Sequence, residues 1–130
     1  MEKTKPLEVQ VIMVNVYDYA HSLARALKES SEFRALVTAR DRLRGKATAE
    51  QMVADFHKKQ LDLQVMMAQG KEPSKEQKEA LERLYAVIQG DADVRDFLMA
   101  EQRFSIILND VYKIIGEAVD VEIPGLERKA

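Results

Sequence analysis

The stretch from Asp91 to Val119, DADVRDFLMAEQRFSIILNDVYKIIGEAV, limits the possible folds more than any other part of the chain. Phe97, Phe104, Leu108, Val111, Ile115 and Ala118 recur at alternating steps of three and four, which places them on one stripe of an α-helix. Glu101 alone breaks the stripe. A helix this long with one apolar face needs other helices to cover it, so the fold class expected is all-α, an antiparallel bundle of about five helices with a long C-terminal helix.

The rest of the chain supplies the covering helices. Asn15 is placed to cap a first helix with Asp18 in its first turn, running to about Glu29 and burying Tyr19, Ala20, Leu23, Ala26 and Leu27. Ser30 or Ser31 starts a second helix, whose stripe of Phe33, Leu36, Val37 and Leu43 contains Arg40, and Gly45 ends it. Thr48 and Gln51 have capping-box spacing and predict the start of a third helix. Met52, Phe56, Leu63, Met66 and Met67 lie on one side of it and Leu61, Val65 and Ala68 on another, and two apolar faces predict two neighbours. Gly70 and Pro73 mark the clearest turn, and Ser74 with Gln77 repeats the capping box at the head of a fourth helix ending at Gln89. Its stripe is Leu81, Leu84, Tyr85 and Ile88. Short connections predict that the third helix pairs with the fourth and fifth. Residues 1–14, with alternating Leu7, Val9, Val11 and Met13, form an N-terminal extension, residues 15–119 one helical domain, and residues 120–130, broken by Pro124 and Gly125, a tail.

Composition narrows the chemistry. The chain has no Cys, so disulfides, thiolate zinc sites and cysteine nucleophiles are out. His21 and His57 are the only histidines, and they do not fall in a metal-binding helical pattern. Asp18 and His21 have half of a di-metal carboxylate spacing, but Ala54 stands where His57 would need its acid, so no metal and no cofactor is expected. No phosphate-cradling or nucleophile-elbow glycine motif occurs, and no catalytic residue is assigned. Gly116 inside the long helix suggests close helix packing. The apolar run near the start is shorter than the ~20 residues that span a bilayer, so a cytoplasmic protein without a membrane partner is expected.

Three features point to partners. Residues 34–59 carry seven basic residues against three acidic ones, +4, which leaves −6 elsewhere to give the net −2. Within this segment Arg40, Arg42, Arg44 and Lys46 offer a nucleic-acid contact, against the plainer reading that cations suit a helix C-terminus. Leu61 and Val65 on the third helix, with Met99, Ile106, Ile107 and Ile114 on the fifth, are apolar beyond what one small core needs and predict a homo-oligomer interface, a dimer being favoured. Finally, Glu101 and Arg40 are each the one charge in an apolar stripe, and a pairing of the two, within one chain or across a dimer, is expected.

Three local patterns occur in order: Asn15 with Tyr17, Asp18, Ala20, Leu23, Ala26, Leu27, Ser30 and Phe33; Met67-Ala68-Gln69-Gly70-Lys71-Glu72; and Ala100-Glu101-Gln102-Arg103 followed by Asn109-Asp110-Val111-Tyr112-Lys113-Ile114-Ile115. Together they resemble the YlbF/YmcA family of small helical bacterial proteins, in particular its YheA-like branch, over about residues 14 to 119. The resemblance implies an all-α, oligomerising, non-enzymatic cytoplasmic protein. Better-known members support competence, sporulation and biofilm development in a complex with YaaT that modulates RNase Y and mRNA processing. The cluster-binding cysteines of that complex have no counterpart here, so the iron–sulfur cluster does not carry over. The function expected is a protein-interaction or regulatory subunit, the alternative an RNA-binding accessory protein using Arg40 to Lys46.

Overall fold

The computed structural model describes residues 15–120, so the expectations for residues 1–14 and for the tail beyond Asp120 fall outside the described residues. Among the described residues five helices follow in order: α1 (Val16–Lys28), α2 (Ser31–Leu43), α3 (Ala47–Ala68), α4 (Lys75–Gln89) and α5 (Ala92–Ala118). No strand occurs among the described residues, and the fold is an all-α bundle.

Local chemistry sets most boundaries. The Asn15 side chain accepts from the Tyr17 N–H at 2.8 Å, and Ser30 accepts from the Phe33 N–H at 3.1 Å, giving α1 and α2 side-chain caps. At α4 the capping box is complete: Ser74 accepts from the Gln77 N–H at 3.1 Å, and the Gln77 side chain accepts from the Ser74 N–H at 2.8 Å. Asp91 caps α5 by accepting from the Val94 N–H. The end of α3 is a Schellman turn, in which Gly70 has φ +74 while the Lys71 N–H reaches the Met66 carbonyl and the Gly70 N–H the Met67 carbonyl.

The expected box of Thr48 and Gln51 does not form. Helix α3 begins earlier, at Ala47, with Lys46 in the cap position and no side-chain cap bond. Tertiary contacts fix this start: Ala49 is buried, and Lys46 is tied to Asp93 on α5. Gly116 is likewise not a close-packing site, because a Cβ there would meet nothing within 4 Å.

The buried core is small and gathered at one place. Ala39 and Leu43 from the end of α2, Ala49 and Val53 from the start of α3, Ile88 from the end of α4, and Val94, Phe97 and Ala100 from the start of α5 make it up, with Leu36, Met52, Phe56, Leu84 and Leu98 packed around them. Helix α2 lies antiparallel on α5: as α2 runs from Phe33 to Arg42 and on to Lys46, its partners run back from Phe104 through Asp96 to Asp93. The Phe33 and Phe104 rings sit 5.2 Å apart. Helices α3 and α4 form a hairpin, with Phe56 and Tyr85 rings 5.8 Å apart. As expected, α3 contacts both α4 and α5, but the most extensive pairing in the fold is α2 with α5.

Helix α1 departs from expectation. None of its residues is buried, Tyr19 is 66% exposed, and Leu23 sits at the exposed boundary, although its apolar and polar faces are sharply separated. Helix α1 packs on α2. The periodicity therefore identifies its apolar face but not a cover for it.

Candidate interaction surface

Several large apolar side chains stand exposed on α5 beyond the core. Ile106 is 54% and Ile114 66% exposed, Ile115 stands out although it belongs to the core-facing stripe, and Ile107 is half-buried. Met99 is exposed on the flank of the same helix. On α3, Leu61 is 59% and Val65 48% exposed, along the half of that helix that runs away from the core. The six residues singled out from the sequence thus lie on two helices, five of them exposed.

The charged residues are arranged differently from the sequence expectation. Glu101 does not meet Arg40 within the chain. Its Oε1 lies 2.7 Å from Nε2 of His57, joining α5 to α3, and both side chains are part-exposed. The reason is placement: Arg40 faces a groove of about 410 Å³ that it shares with Leu43, Arg44, Glu50, Val53, Ala54, His57 and Phe97, and His57 stands nearer the carboxylate. Glu101 stood out in the sequence as the one charge in its stripe, but spacing carried no sign of its partner, because His57 sits on a separate helix.

The cluster Arg40, Arg42, Arg44 and Lys46 is partly neutralised. Arg42 lies 3.6 Å from Asp96, Arg44 3.6 Å from Asp41, and Lys46 is hydrogen-bonded to Asp93. Of these acids, Asp93 is the perturbed one: the hydrogen bond from Lys46, reinforced by the charges of Lys46 and Arg42, holds its carboxyl below the usual carboxylate value of 3.8. The cluster that reads as a phosphate grip in sequence serves in large part to fasten α2 and the start of α3 onto α5.

Two further grooves open between helices. One, of about 430 Å³, lies inside the α3–α4 hairpin and is lined by Leu63, Met66, Ala80 and Leu81 with Lys59 and Asp62. The other, of about 330 Å³, lies between α2 and α5 and is lined by Ala35, Thr38, Ala39, Met99 and Ala100 with Arg34, Arg42, Asp96 and Arg103. No group of three or more His, Asp or Glu residues gathers as a metal-binding set among the described residues, and no helix there is long and apolar enough to cross a membrane.

The fold and these surfaces are those of a small all-α protein that presents helix faces and open grooves. Residues 16–120 match the family described as control of competence regulator ComK, YlbF/YmcA, and the chain belongs to that family. It is similar to a UPF0342 protein of Symbiobacterium thermophilum, 62% identical over 84% of this chain and 97% of that one. A UPF0342 protein of Caldicellulosiruptor saccharolyticus is 42% identical over 85% of this chain and 92% of that one. Among solved structures, a protein of unknown function (DUF964) from Bacillus stearothermophilus shares the fold, with a TM-score of 0.64, 24% identity, and coverage of 81% of this chain and 92% of that chain.

Proposed function

We propose that the protein is a non-enzymatic, cytoplasmic protein-interaction or regulatory subunit that works as a homodimer, associating through the faces that carry Leu61, Val65, Met99, Ile106, Ile107 and Ile114. The observation that carries this reading is that exposed apolar side chains continue along α5, at Ile106, Ile114 and Ile115, past Ala100, the last buried residue among those described. Removing such surface from water favours association by roughly 25 cal/mol per Å² before the costs of association. The family description, control of a competence regulator, supports a regulatory role.

Sedimentation equilibrium at tens of micromolar, roughly ten times a ~1 μM dissociation constant, tests the reading. The wild type is expected to sediment above monomer mass, and Ile106→Asp, which places a charge in the interface, to shift it toward monomer. A monomeric wild type at that concentration removes self-association from the proposal. The RNA-binding alternative through Arg40, Arg42, Arg44 and Lys46 has less support, since acids already engage three of these four cations. Salt-sensitive RNA binding lost on changing Arg40, Arg42 and Arg44 together would reverse that preference.

A further inference from the structure

We propose that the groove between α2 and α5 is the docking site for an acidic helix of a partner protein. Its floor is Ala35, Ala39 and Ala100 with Thr38, side chains short enough for another helix to approach at the close end of the 8–10 Å interaxial range. Arg34 and Arg42 stand on α2 and Arg103 on α5, and all three are exposed. Asp96 is the one carboxylate in the groove, 3.6 Å from Arg42, and neither Arg34 nor Arg103 pairs with an acid among the described residues. The groove is therefore an electropositive trough with two uncommitted guanidiniums.

The geometry favours a helix with carboxylates over other occupants. Arg34 and Arg42 are separated by about 12 Å along α2 at 1.5 Å per residue, a span that acids at i, i+4 and i+8 of a facing helix reproduce. Each guanidinium accepts a carboxylate in a two-point fork, and exposed Met99 offers an adaptable apolar contact beside the floor. Single-stranded RNA fits less well, because no aromatic side chain lines the groove to stack a base. A second copy applying this same face about a two-fold axis would bring the two sets of guanidiniums together, and like charges repel.

The proposal rests on the reading of the chain as a protein-interaction subunit, but not on its self-association, which uses other residues except Met99. The probes are an alanine-rich helical peptide of about 20 residues with glutamates at i, i+4 and i+8, the same peptide with glutamines in their place, and an oligouridylate of about the same length. Fluorescence anisotropy with the full chain is expected to show the glutamate peptide binding about tenfold tighter than the glutamine peptide, and weakening between about 50 and 300 mM salt. Arg34→Glu combined with Arg103→Glu should weaken it a further tenfold or so with the helical circular dichroism unchanged, while Lys78→Glu on α4 changes it less than about twofold and Ile106→Asp leaves it intact. Equal binding of the two peptides, or none up to about 1 mM, overturns the proposal. So does tighter, arginine-dependent binding of oligouridylate, which makes the groove a nucleic-acid surface. Dissociation of the wild-type oligomer by the double arginine change also overturns it, because the groove then faces a second copy.

Discussion

The two halves of α5 have the same sequence pattern and opposite surroundings. From Val94 to Ala100 its inward residues are buried against α2, α3 and α4, whereas from Phe104 to Ala118 the stripe passes from half-buried to open to solvent. The difference lies in what arrives opposite each half. The ends of α2 and α4 and the start of α3 supply buried residues against the first half, while no described residue is buried against the second. An apolar period specifies which face of a helix needs a partner, and the connections decide whether that partner is in the same chain.

The largest effect that would break or sharpen this contrast is in the core. Phe97→Ala, at a buried residue, should cost about 3–5 kcal/mol of unfolding free energy, whereas Ile115→Ala should cost under about 1 kcal/mol in dilute solution. Urea denaturation at low protein concentration measures both. A cost at Ile115 equal to that at Phe97 would show that the second half is covered within the monomer. Next in size is the head of α4, where the capping box secures a hairpin end that has no buried residue nearby. Ser74→Ala is expected to lose ~1 kcal/mol and Thr48→Ala only a few tenths, since Thr48 makes no cap bond. Comparable losses at the two sites would mean that the box expected from Thr48 and Gln51 forms in solution.

Much of the fold was legible because its signals are local. Asn15, Ser30, Ser74 and Gly70 act within a few residues of themselves, and each marks a helix end by a side chain or a glycine of fixed geometry. The failures share the opposite property. The start of α3 is set by Ala49 and by Lys46 reaching a residue on another helix, the exposure of α1 depends on its packing against other helices, and within the chain Glu101 takes His57 on α3 rather than Arg40 on α2. The α2–α5 groove was illegible for the same reason: Arg34 and Arg42 on one helix and Arg103 on another share it only through the antiparallel pairing. The six apolar residues were recognisable, and already divided between the third and fifth helices, as apolar side chains off the main stripes, but how far each stays exposed was not.

A smaller effect tests the polar link between the halves. His57 and Glu101 bridge α3 and α5 where buried core gives way to open stripe, and as a part-exposed pair they should couple by roughly 0.5 kcal/mol. A double-mutant cycle with His57→Ala and Glu101→Gln reads that coupling. The cycle with Arg40→Met and Glu101→Gln is expected to be additive in the monomer, and coupling seen only above the association concentration would place Arg40 of one copy against Glu101 of another.

The smallest effect concerns the other edge of the core, where Lys46 and Arg42 face Asp93. Because the folded state holds this carboxyl below 3.8, Asp93 binds its proton less readily folded than unfolded. Its contribution is therefore fully present above the unfolded value and is lost as the pH falls below about 4, through the folded value. Asp93→Asn should be slightly less stable than wild type at neutral pH, with the gap closing under acid as the wild-type carboxyl takes up its proton. Urea midpoints of the two proteins at pH 7 and at about pH 3 measure the closure, with the remaining acids common to both. A gap that stays constant across this range would mean that the carboxylate does not titrate against Lys46, and that the start of α3 is held by the burial of Ala49 alone.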